Sequence, residues 1–359
     1  MQYRPLGQTG IDVSAVSFGG IKLPRISPEE ASDCLNRALD LGMSFVDTAR
    51  NYRDSEEKIG KAISHRRDEF TLATKTTGRD AESARADLET SLRELKTEKI
   101  DLYQLHSVSD PATWEQVMAK GGALEAVKKA QEQGKIDHIA LTCHRDLGTM
   151  RKAIESGEFE TIMVAYSPID AEGVGPEILP LAKAKGMGVI VMKGLSGGQL
   201  VRAVPEDGER TEPDDIVRET LRCILANDAV SCVIPGMEDV RFVEENAATG
   251  DLPPMTDDEK AKLLKEIGGL GKSFRYGQVC LRCAYCQPCP QDIDIPAAFR
   301  ALDAARDYPD SLKHLGRELY DSLDPKPDAC EECGQCVEKC PAGIDIPARL
   351  KEVRQHFAE

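Results

Sequence analysis

The sequence predicts an α/β fold, a (β/α)8 TIM barrel, followed by a small, mainly helical C-terminal domain. Eight short β-branched runs alternate with amphipathic helical stretches over the first two thirds of the chain. Eight cysteines then fall into two closely spaced runs between positions 280 and 340. Strand-then-helix alternation favours parallel pairing, and eight parallel strands are the number that closes a barrel.

The strand candidates are short, rich in β-branched residues and bounded by turn signals. They are Val16–Phe18, Ser44–Asp47, Phe70–Lys75, Ile100–His106, His138–Thr142, Thr161–Tyr166, Gly188–Met192 and Ser231–Ile234. The helix candidates between them carry apolar residues three and four positions apart. They are Pro28–Leu41, Ala81–Leu95, Gly121–Gln133, Asp146–Glu155, Glu177–Lys185, Asp214–Ala226 and Glu238–Ala248.

The length of 359 residues is enough for one large domain and a small one. We expect the barrel over residues 1–267, a linker over 268–278 and the cysteine-rich domain over 279–359. No stretch approaches the ~20 apolar residues that a membrane span requires. A net charge of −16 repels phosphate groups, so nucleic acid and anionic membranes are poor candidate partners.

Eight of the twelve cysteines form two runs that each end in Cys-Pro. The runs are Cys280-x-x-Cys283-x-x-Cys286-x-x-Cys289-Pro and Cys330-x-x-Cys333-x-x-Cys336-x-x-x-Cys340-Pro. Three cysteines at this spacing followed by Cys-Pro are the bacterial ferredoxin pattern for iron–sulfur clusters, in which the fourth Cys ligates the other cluster. The sequence therefore predicts a protein that handles electrons.

The first three cysteines of each run are related by a constant offset of 50 residues, which predicts two [4Fe–4S] clusters with crossed ligands. One cluster would be held by Cys280, Cys283, Cys286 and Cys340, and the other by Cys330, Cys333, Cys336 and Cys289. The first run has two residues before its last Cys where the pattern has three. A single cluster therefore stays open as an alternative.

Zinc and disulfides are the other interpretations of these cysteines. Structural zinc uses two separated Cys pairs and gives no reason for a third and fourth Cys before Pro. Disulfides need an oxidising compartment, and the N-terminus has no apolar signal segment, so we expect a cytoplasmic protein. Cys34, Cys143, Cys223 and Cys232 lie in apolar or helical stretches, and we expect them to be buried.

Polar residues stand at or just beyond the ends of three neighbouring predicted strands. Asp47 ends the second strand, with Tyr52 just beyond it, while Lys75 and His106 end the third and fourth. The carboxyl ends of barrel strands form the active site in essentially every such enzyme. These four residues are therefore the catalytic candidates.

The segments around these four residues closely resemble the aldo-keto reductase family, in particular its bacterial and archaeal members with a ferredoxin-like C-terminal extension. The matching segments are Phe45–Tyr52, Ser55-Glu56 with Gly60, Ala73–Lys75 and Asp101–His106. The resemblance implies that Tyr52 protonates a carbonyl oxygen with the support of Lys75. It implies that Asp47 pairs with Lys75 and that His106 orients the substrate.

The chemistry agrees with these implied roles. A free Tyr has a pKa of about 10, so acid catalysis near neutrality benefits from an adjacent ammonium group. No side chain of the barrel can supply or accept a hydride, so a nicotinamide cofactor is expected. The Gly-x-Gly-x-x-Gly fingerprint is absent, which argues against a Rossmann mode of binding.

Cofactor-binding candidates come from the loops after strands seven and eight, where barrels commonly bind phosphates. The resemblance implies a pyrophosphate loop and an adenosine site, whose candidate residues are Gly194, Leu195, Gly198, Ile234, Gly236, Glu245 and Asn246. Thr142 and Met192 stand at two further cofactor positions, where they depart from the usual residues of the family. Glu238 would repel a 2′-phosphate, which favours NAD over NADP, although Arg241 is nearby.

These observations predict a nicotinamide-dependent oxidoreductase that interconverts a carbonyl and an alcohol, with clusters that exchange single electrons with a partner protein. One alternative is a plain carbonyl reductase with structural clusters. Another is a nicotinamide-binding regulatory protein whose clusters sense oxidants. The substrate would be a small molecule in every enzymatic reading.

Overall fold

The computed structural model describes residues 1–168, 173–196, 213–271, 280, 283–307, 313–340 and 342–358. The chain divides into two compact units. The first unit contains residues 1–194 and 218–260, and the second contains residues 195–217 and 261–359. The domain limits expected from the sequence stay a prediction.

Ten strands are present in the described residues. They are β1 (Tyr3–Pro5), β2 (Asp12–Ser14), β3 (Phe18–Gly19), β4 (Phe45–Asp47), β5 (Thr71–Thr76), β6 (Ile100–Leu105), β7 (Ile136–Cys143), β8 (Thr161–Ala165), β9 (Gly188–Met192) and β10 (Cys232–Val233). Strands β3 to β10 form one eight-stranded parallel sheet in chain order. The eight strands predicted from the sequence are these eight, each within two residues at its ends.

The sheet curls until its first and last strands meet. Val16 and Gly19 form parallel bridges to Val233 and Gly236. The amide of Ser17 donates to the carbonyl of Val233 over 2.9 Å. The architecture is therefore the predicted (β/α)8 barrel. The antiparallel hairpin of β1 and β2 precedes it, and the sequence analysis did not predict this hairpin.

Fourteen α-helices are present in the same described residues. They are α1 (Pro28–Asp40), α2 (Ser55–Ile63), α3 (Ala81–Glu94), α4 (Pro111–Met118), α5 (Ala123–Glu132), α6 (Leu147–Ser156), α7 (Leu179–Ala184), α8 (Pro213–Leu225), α9 (Val240–Thr249), α10 (Asp257–Gly271), α11 (Ile295–Asp307), α12 (His314–Asp321), α13 (Gln335–Glu338) and α14 (Ile346–Phe357).

Local sequence explains where the barrel helices begin and how they pack. Ser27 and Glu30 form a capping box at the start of α1, and the Asp80 carboxylate accepts two backbone amides at the start of α3. Gly60 lets α2 approach α3, because a Cβ there would lie 2.1 Å from the carbonyl oxygen of Glu94. These contacts fix α2, which follows the loop that carries Tyr52.

The described residues of the second unit between 280 and 358 form helices joined by irregular segments and contain no strand, in agreement with the mainly helical domain that the sequence predicts. Helices α11, α12 and α14 enclose an apolar core that contains Phe299, Leu302 and Val353. Tyr320 and Phe357 stack with their ring centroids 4.4 Å apart. Six of the eight cysteines of the two runs belong to this core or pack against it.

None of the helices in the described ranges combines the length and the apolar content needed to cross a bilayer.

Candidate active site and cluster sites

The closest pair of catalytic candidates is Lys75 and Asp47. Asp47 ends β4, and Lys75 lies near the end of the adjacent parallel strand β5, where Asp47 is paired in register with Ala73. The Nζ atom of Lys75 lies 2.6 Å from Oδ2 of Asp47 and 2.6 Å from the carbonyl oxygen of Thr48. The side chains are 1% and 3% exposed respectively, so this is a fully buried ion pair.

Burial opposes charge on both members of this pair. Burial lowers the pKa of Lys75, and the Asp47 carboxylate acts in the opposite direction. Burial likewise raises the pKa of Asp47, which Lys75 and a hydrogen bond from Gln104 counteract. Each charge therefore depends on the other for its stability.

Tyr52 lies over this pair in the loop after β4. The Lys75 Nζ atom is 5.0 Å from the centroid of the Tyr52 ring. The His106 ring meets the Tyr52 ring edge-on, with 5.8 Å between centroids and an interplanar angle of 74°. The structure thus brings all four predicted catalytic residues together at the carboxyl end of the barrel.

His106 follows β6 and is buried among cationic groups. Burial and then the charge of Lys75 hold its pKa well below the usual range, so the imidazole is neutral near pH 7. Ser107, the next residue, has a φ of 53°, and its amide donates to the Thr142 hydroxyl over 2.7 Å. Thr142, a predicted cofactor residue, therefore supports the backbone beside His106.

Two residues that lie near the four candidates were not among the catalytic residues predicted from the sequence. Gln104 Nε2 donates to Asp47 Oδ1 over 2.9 Å, and the buried His144 ring lies 6.3 Å from the His106 ring. Gln104 lies two residues before His106, so strand periodicity was the available signal. His144 follows β7, where the strand-end rule also applies.

The nicotinamide candidates occupy the ends of the last strands. Met192 ends β9 and is 8% exposed, while Ile234 and Gly236 follow β10. Leu195 belongs to the second unit, and Gly198 lies outside the described residues. A Cβ on Gly194 would lie 2.7 Å from Ile224, so only glycine fits at that position without a shift of this side chain.

The adenosine candidates Glu245 and Asn246 lie on α9. Asn246 is 6% exposed, and within the described ranges its Oδ1 atom accepts no hydrogen bond. A buried acceptor without a donor costs free energy, so a bound group that donates there would be favoured. This atom fits the binding of a nucleotide.

Glu238 is surrounded by cations. Its Oε1 atom lies 3.2 Å from Lys22 Nζ, and its Oε2 atom lies 4.0 Å from Arg25 Nη1. Arg241, considered from the sequence as a compensating charge, instead lies 3.8 Å from Glu245. Both partners of Glu238 thus follow β3, the first strand of the barrel, whereas Glu238 itself follows β10, the last strand.

Four cysteines of the two runs share one cavity in the second unit. Cys280, Cys283 and Cys286 from the first run and Cys340 from the second line it, together with Ala284, Ile295, Pro296, Phe299, Ala342, Ile344 and Ile346. Burial and the neighbouring thiols raise the pKa of Cys286, so metal binding there would release a proton. An all-thiolate, apolar cavity of this kind fits an iron–sulfur cluster.

The other four cysteines form a second group. Burial raises the pKa of the Cys336 thiol, and the charges of Cys330, Cys333 and Cys289 act in the same direction. Cys333 is exposed, whereas Cys286 in the first group is buried. The described residues contain no group of three His, Cys, Asp or Glu side chains at the spacing of a single metal ion.

The remaining cysteines behave as expected. Cys34, Cys143, Cys223 and Cys232 are all buried, and none of the twelve cysteines forms a disulfide. Burial raises the pKa of Cys143 to about 11, so its thiol is protonated and unreactive near neutrality.

Comparison with known proteins identifies both parts of the chain. The model of the aldo/keto reductase family matches residues 15–267, and a 4Fe-4S dicluster domain matches residues 279–344. L-galactose dehydrogenase of Arabidopsis thaliana is 28% identical over 285 residues, which cover 69% of this chain and 88% of that protein.

Solved structures of aldo-keto reductases share the barrel. AKR11C1 from Bacillus halodurans, in its holo form, has a TM-score of 0.63 at 26% identity and covers 74% of this chain and 96% of its own. A Klebsiella pneumoniae aldo/keto reductase, in complex with NADP and acetate, has a TM-score of 0.62 at 22% identity and covers 74% and 95% respectively. Since the family model matches more than half of the chain, the protein belongs to the aldo/keto reductase family of NAD(P)-dependent oxidoreductases.

Proposed function

We propose that this protein interconverts a small carbonyl compound and the corresponding alcohol, with Tyr52 as the acid and base. The observation that carries the proposal is the buried Lys75–Asp47 ion pair beneath the Tyr52 ring. A bound nicotinamide would supply the hydride for reduction and accept it in oxidation. The candidates to hold this cofactor are Thr142, Met192, Gly194, Leu195, Gly198, Ile234, Gly236, Glu238, Glu245 and Asn246.

In the direction of reduction, the Tyr52 hydroxyl donates its proton to the carbonyl oxygen. The Lys75 ammonium stabilises the phenolate that remains, and Asp47 keeps this ammonium charged in a dry environment. His106 is neutral, so it can donate a hydrogen bond to the substrate oxygen without competing as an acid. In oxidation, Tyr52 takes the proton back.

We propose that the eight cysteines of the two runs hold two [4Fe–4S] clusters with crossed ligation. The shared cavity of Cys280, Cys283, Cys286 and Cys340 supports this arrangement for the first cluster. Clusters of this kind would exchange single electrons with a redox partner protein. Thiolate ligands must stay reduced, which agrees with a cytoplasmic location.

A second candidate role for the clusters is structural. Cys286 is part of the apolar core of the second unit, and the other cluster cysteines pack against that core, with the exception of Cys283 and Cys333. A small domain with its ligands in the core can depend on the metal to fold. This role leaves the carbonyl chemistry of the barrel unchanged.

Iron analysis combined with a nicotinamide titration tests the proposed function. Protein purified without oxygen is expected to be brown and to contain about eight iron atoms and eight acid-labile sulfides per chain, as two [4Fe–4S] clusters require. The same preparation should bind one nicotinamide dinucleotide. Stoichiometric zinc without sulfide would rule out the clusters, and an iron content near four would leave only one.

We propose NAD(H) as the preferred cofactor. Lys22 and Arg25 are both engaged by Glu238, so a 2′-phosphate would meet a carboxylate whose neighbouring cations are already paired. Glu238→Gln should release both cations and raise the affinity for NADP(H) relative to NAD(H) by roughly tenfold. Charges about 4 Å apart interact by around 4 kcal/mol at an effective dielectric near 20, and solvent screens much of this.

Isothermal titration of both cofactors against the wild type and Glu238→Gln measures the change. Glu244→Gln is the matched control, because Glu244 lies six residues further on, within α9, and likewise pairs with a distant cation, Arg37, over 2.7 Å. The control should keep the wild-type ratio of affinities. A wild type that prefers NADP(H) contradicts the proposal.

A further inference from the structure

Glu56 is a buried carboxylate close to the proposed catalytic residues. It is the second residue of α2, directly after the loop that carries Tyr52, and it is 0% exposed. Burial raises its pKa, and its partners oppose this. The proposed reaction assigns no role to Glu56. Because a buried charge is costly unless it is paired, its partners have to be identified.

Both oxygens of Glu56 are bound. Thr74 Oγ1 donates to Oε1 over 2.6 Å, and Arg50 Nη1 forms an ion pair with Oε2. The same Nη1 atom lies 2.6 Å from Oε2 of Glu94 on α3. Glu56 therefore links a strand, a loop and, through Arg50, a second helix.

These contacts converge on the two residues that must be aligned for proton transfer. Thr74 immediately precedes Lys75 on β5, and the amide of Arg50 donates to the carbonyl of Lys75 over 3.0 Å. Tyr52 is two residues beyond Arg50, and its carbonyl accepts from the amide of Ser55 over 2.9 Å. The loop is thus fastened to β5 on one side and to α2 on the other.

We propose that Glu56 is a positioning residue for the reaction. It aligns the Tyr52 loop with the strand that carries Lys75, and it is a second carboxylate, after Asp47, that keeps Lys75 charged. This inference rests on the proposed function, because it concerns the alignment of the same acid and ammonium group.

The charged groups around Lys75 and Glu56 determine the direction in which the pKa values of Lys75 and Tyr52 should change. Lys75 is influenced by Asp47 from β4, by Lys193 after β9 and by Glu56 from α2, and it acts in turn on His106. Around Glu56 stand the charged groups Arg50 and Glu94. Removal of the Glu56 charge leaves Lys75 and Tyr52 in a more positive field, which lowers the pKa of both groups.

Glu56→Gln tests the proposal, because it keeps the shape and removes the charge. With a small aldehyde as the carbonyl probe, turnover is expected to fall on the order of tenfold to 10²-fold, since small misplacements of reacting groups have effects of this size. The basic limb of the profile of kcat against pH should move to lower pH. The dissociation constant of the nicotinamide should not change.

Glu94→Gln is the matched control. Glu94 contacts the same Arg50 nitrogen but is 26% exposed, whereas the Thr74 hydroxyl donates to Glu56, so turnover and pH profile should stay those of the wild type. Glu56→Asp retains the charge at a shorter reach and should restore the position of the basic limb. A Glu56→Gln variant with an unmoved pH profile overturns the proposal, even if its thermal stability falls.

A spectroscopic readout separates this proposal from the proposed function. The tyrosinate absorbance of Tyr52 is obtained as the difference between titrations of a protein and of its Tyr52→Phe derivative. Its midpoint should be lower on the Glu56→Gln background than on the wild-type background, and equal midpoints overturn the inference. A wild type without nicotinamide-dependent turnover would refute the proposed function, but the spectroscopic test of the Glu56 inference could still be carried out.

If Glu56→Gln does not fold, Thr74→Val provides a second test, because it removes one contact of Glu56. This variant should lower kcat without changing nicotinamide affinity, and an unchanged kcat overturns the inference.

Discussion

Tyr52→Phe is expected to reduce turnover by about 10²-fold to 10⁴-fold, the range that general acid catalysis contributes. Phenylalanine keeps the ring that lies over Lys75 and beside His106, so packing is preserved. Only the proton donor is lost. The affinity for nicotinamide should stay that of the wild type, because Tyr52 is not among the cofactor candidates.

Steady-state turnover and a fluorescence titration of the nicotinamide measure these two quantities separately. Tyr103→Phe is the matched control, since Tyr103 is a fully buried tyrosine on β6 outside the proposed catalytic set. The control should retain turnover. If Tyr52→Phe turned over as fast as the wild type, another group would have to supply the proton.

Asp47→Asn is expected to lower the free energy of unfolding by about 3–5 kcal/mol, the typical effect of breaking a buried pair on one side. Asparagine can still accept the hydrogen bond from Gln104, so the interaction that is lost is the ion pair with Lys75. Its ammonium group would be left buried at 1% exposure without the carboxylate that contacts it directly. Turnover should fall as well, because a neutral Lys75 stabilises the Tyr52 phenolate less.

The destabilisation should depend on pH with a defined sign. Without Asp47, the pKa of Lys75 in the folded protein lies further below its value in the unfolded chain. Between these two values the unfolded chain binds more protons, so stability rises with pH. The deficit of Asp47→Asn should therefore shrink as the pH increases above neutrality.

Urea unfolding of the single and double variants measures this. The double variant Asp47→Asn with Lys75→Met removes both charges and should recover most of the lost stability, because a neutral pair of similar volume costs little to bury. Turnover would stay low in the double variant. Equal stability of wild type and Asp47→Asn would show that Lys75 is already neutral in the folded protein.

The fold could be predicted from the sequence because its signals are local. Each barrel strand is a short apolar run between turn residues, so all eight were identified. The hairpin of β1 and β2 was missed because its strands, Tyr3–Pro5 and Asp12–Ser14, are short and lack the run of β-branched and apolar residues that marks the barrel strands. Helix α2 was missed because it begins only three residues after Tyr52, and the loop before it was not separated from the helix in the sequence.

The site residues that stand at strand ends could be predicted from the sequence. The contacts that form only when distant segments pack together could not. Asp47, Lys75 and His106 end neighbouring parallel strands, so their proximity follows from topology. The ion pairs of Glu238 with Lys22 and Arg25 join residues more than two hundred positions apart, which no local pattern reveals. The exposure of Cys333 and the burial of Cys286 also require the folded core.

The order of strands in the barrel separates two tasks along the chain. The proposed acid site is carried by three consecutive strands, β4 to β6, with all four residues between positions 47 and 106. Most nicotinamide candidates follow β9 and β10, between positions 192 and 246. We therefore expect substitutions in the later loops to change cofactor preference while the four residues of the proposed acid site keep their positions.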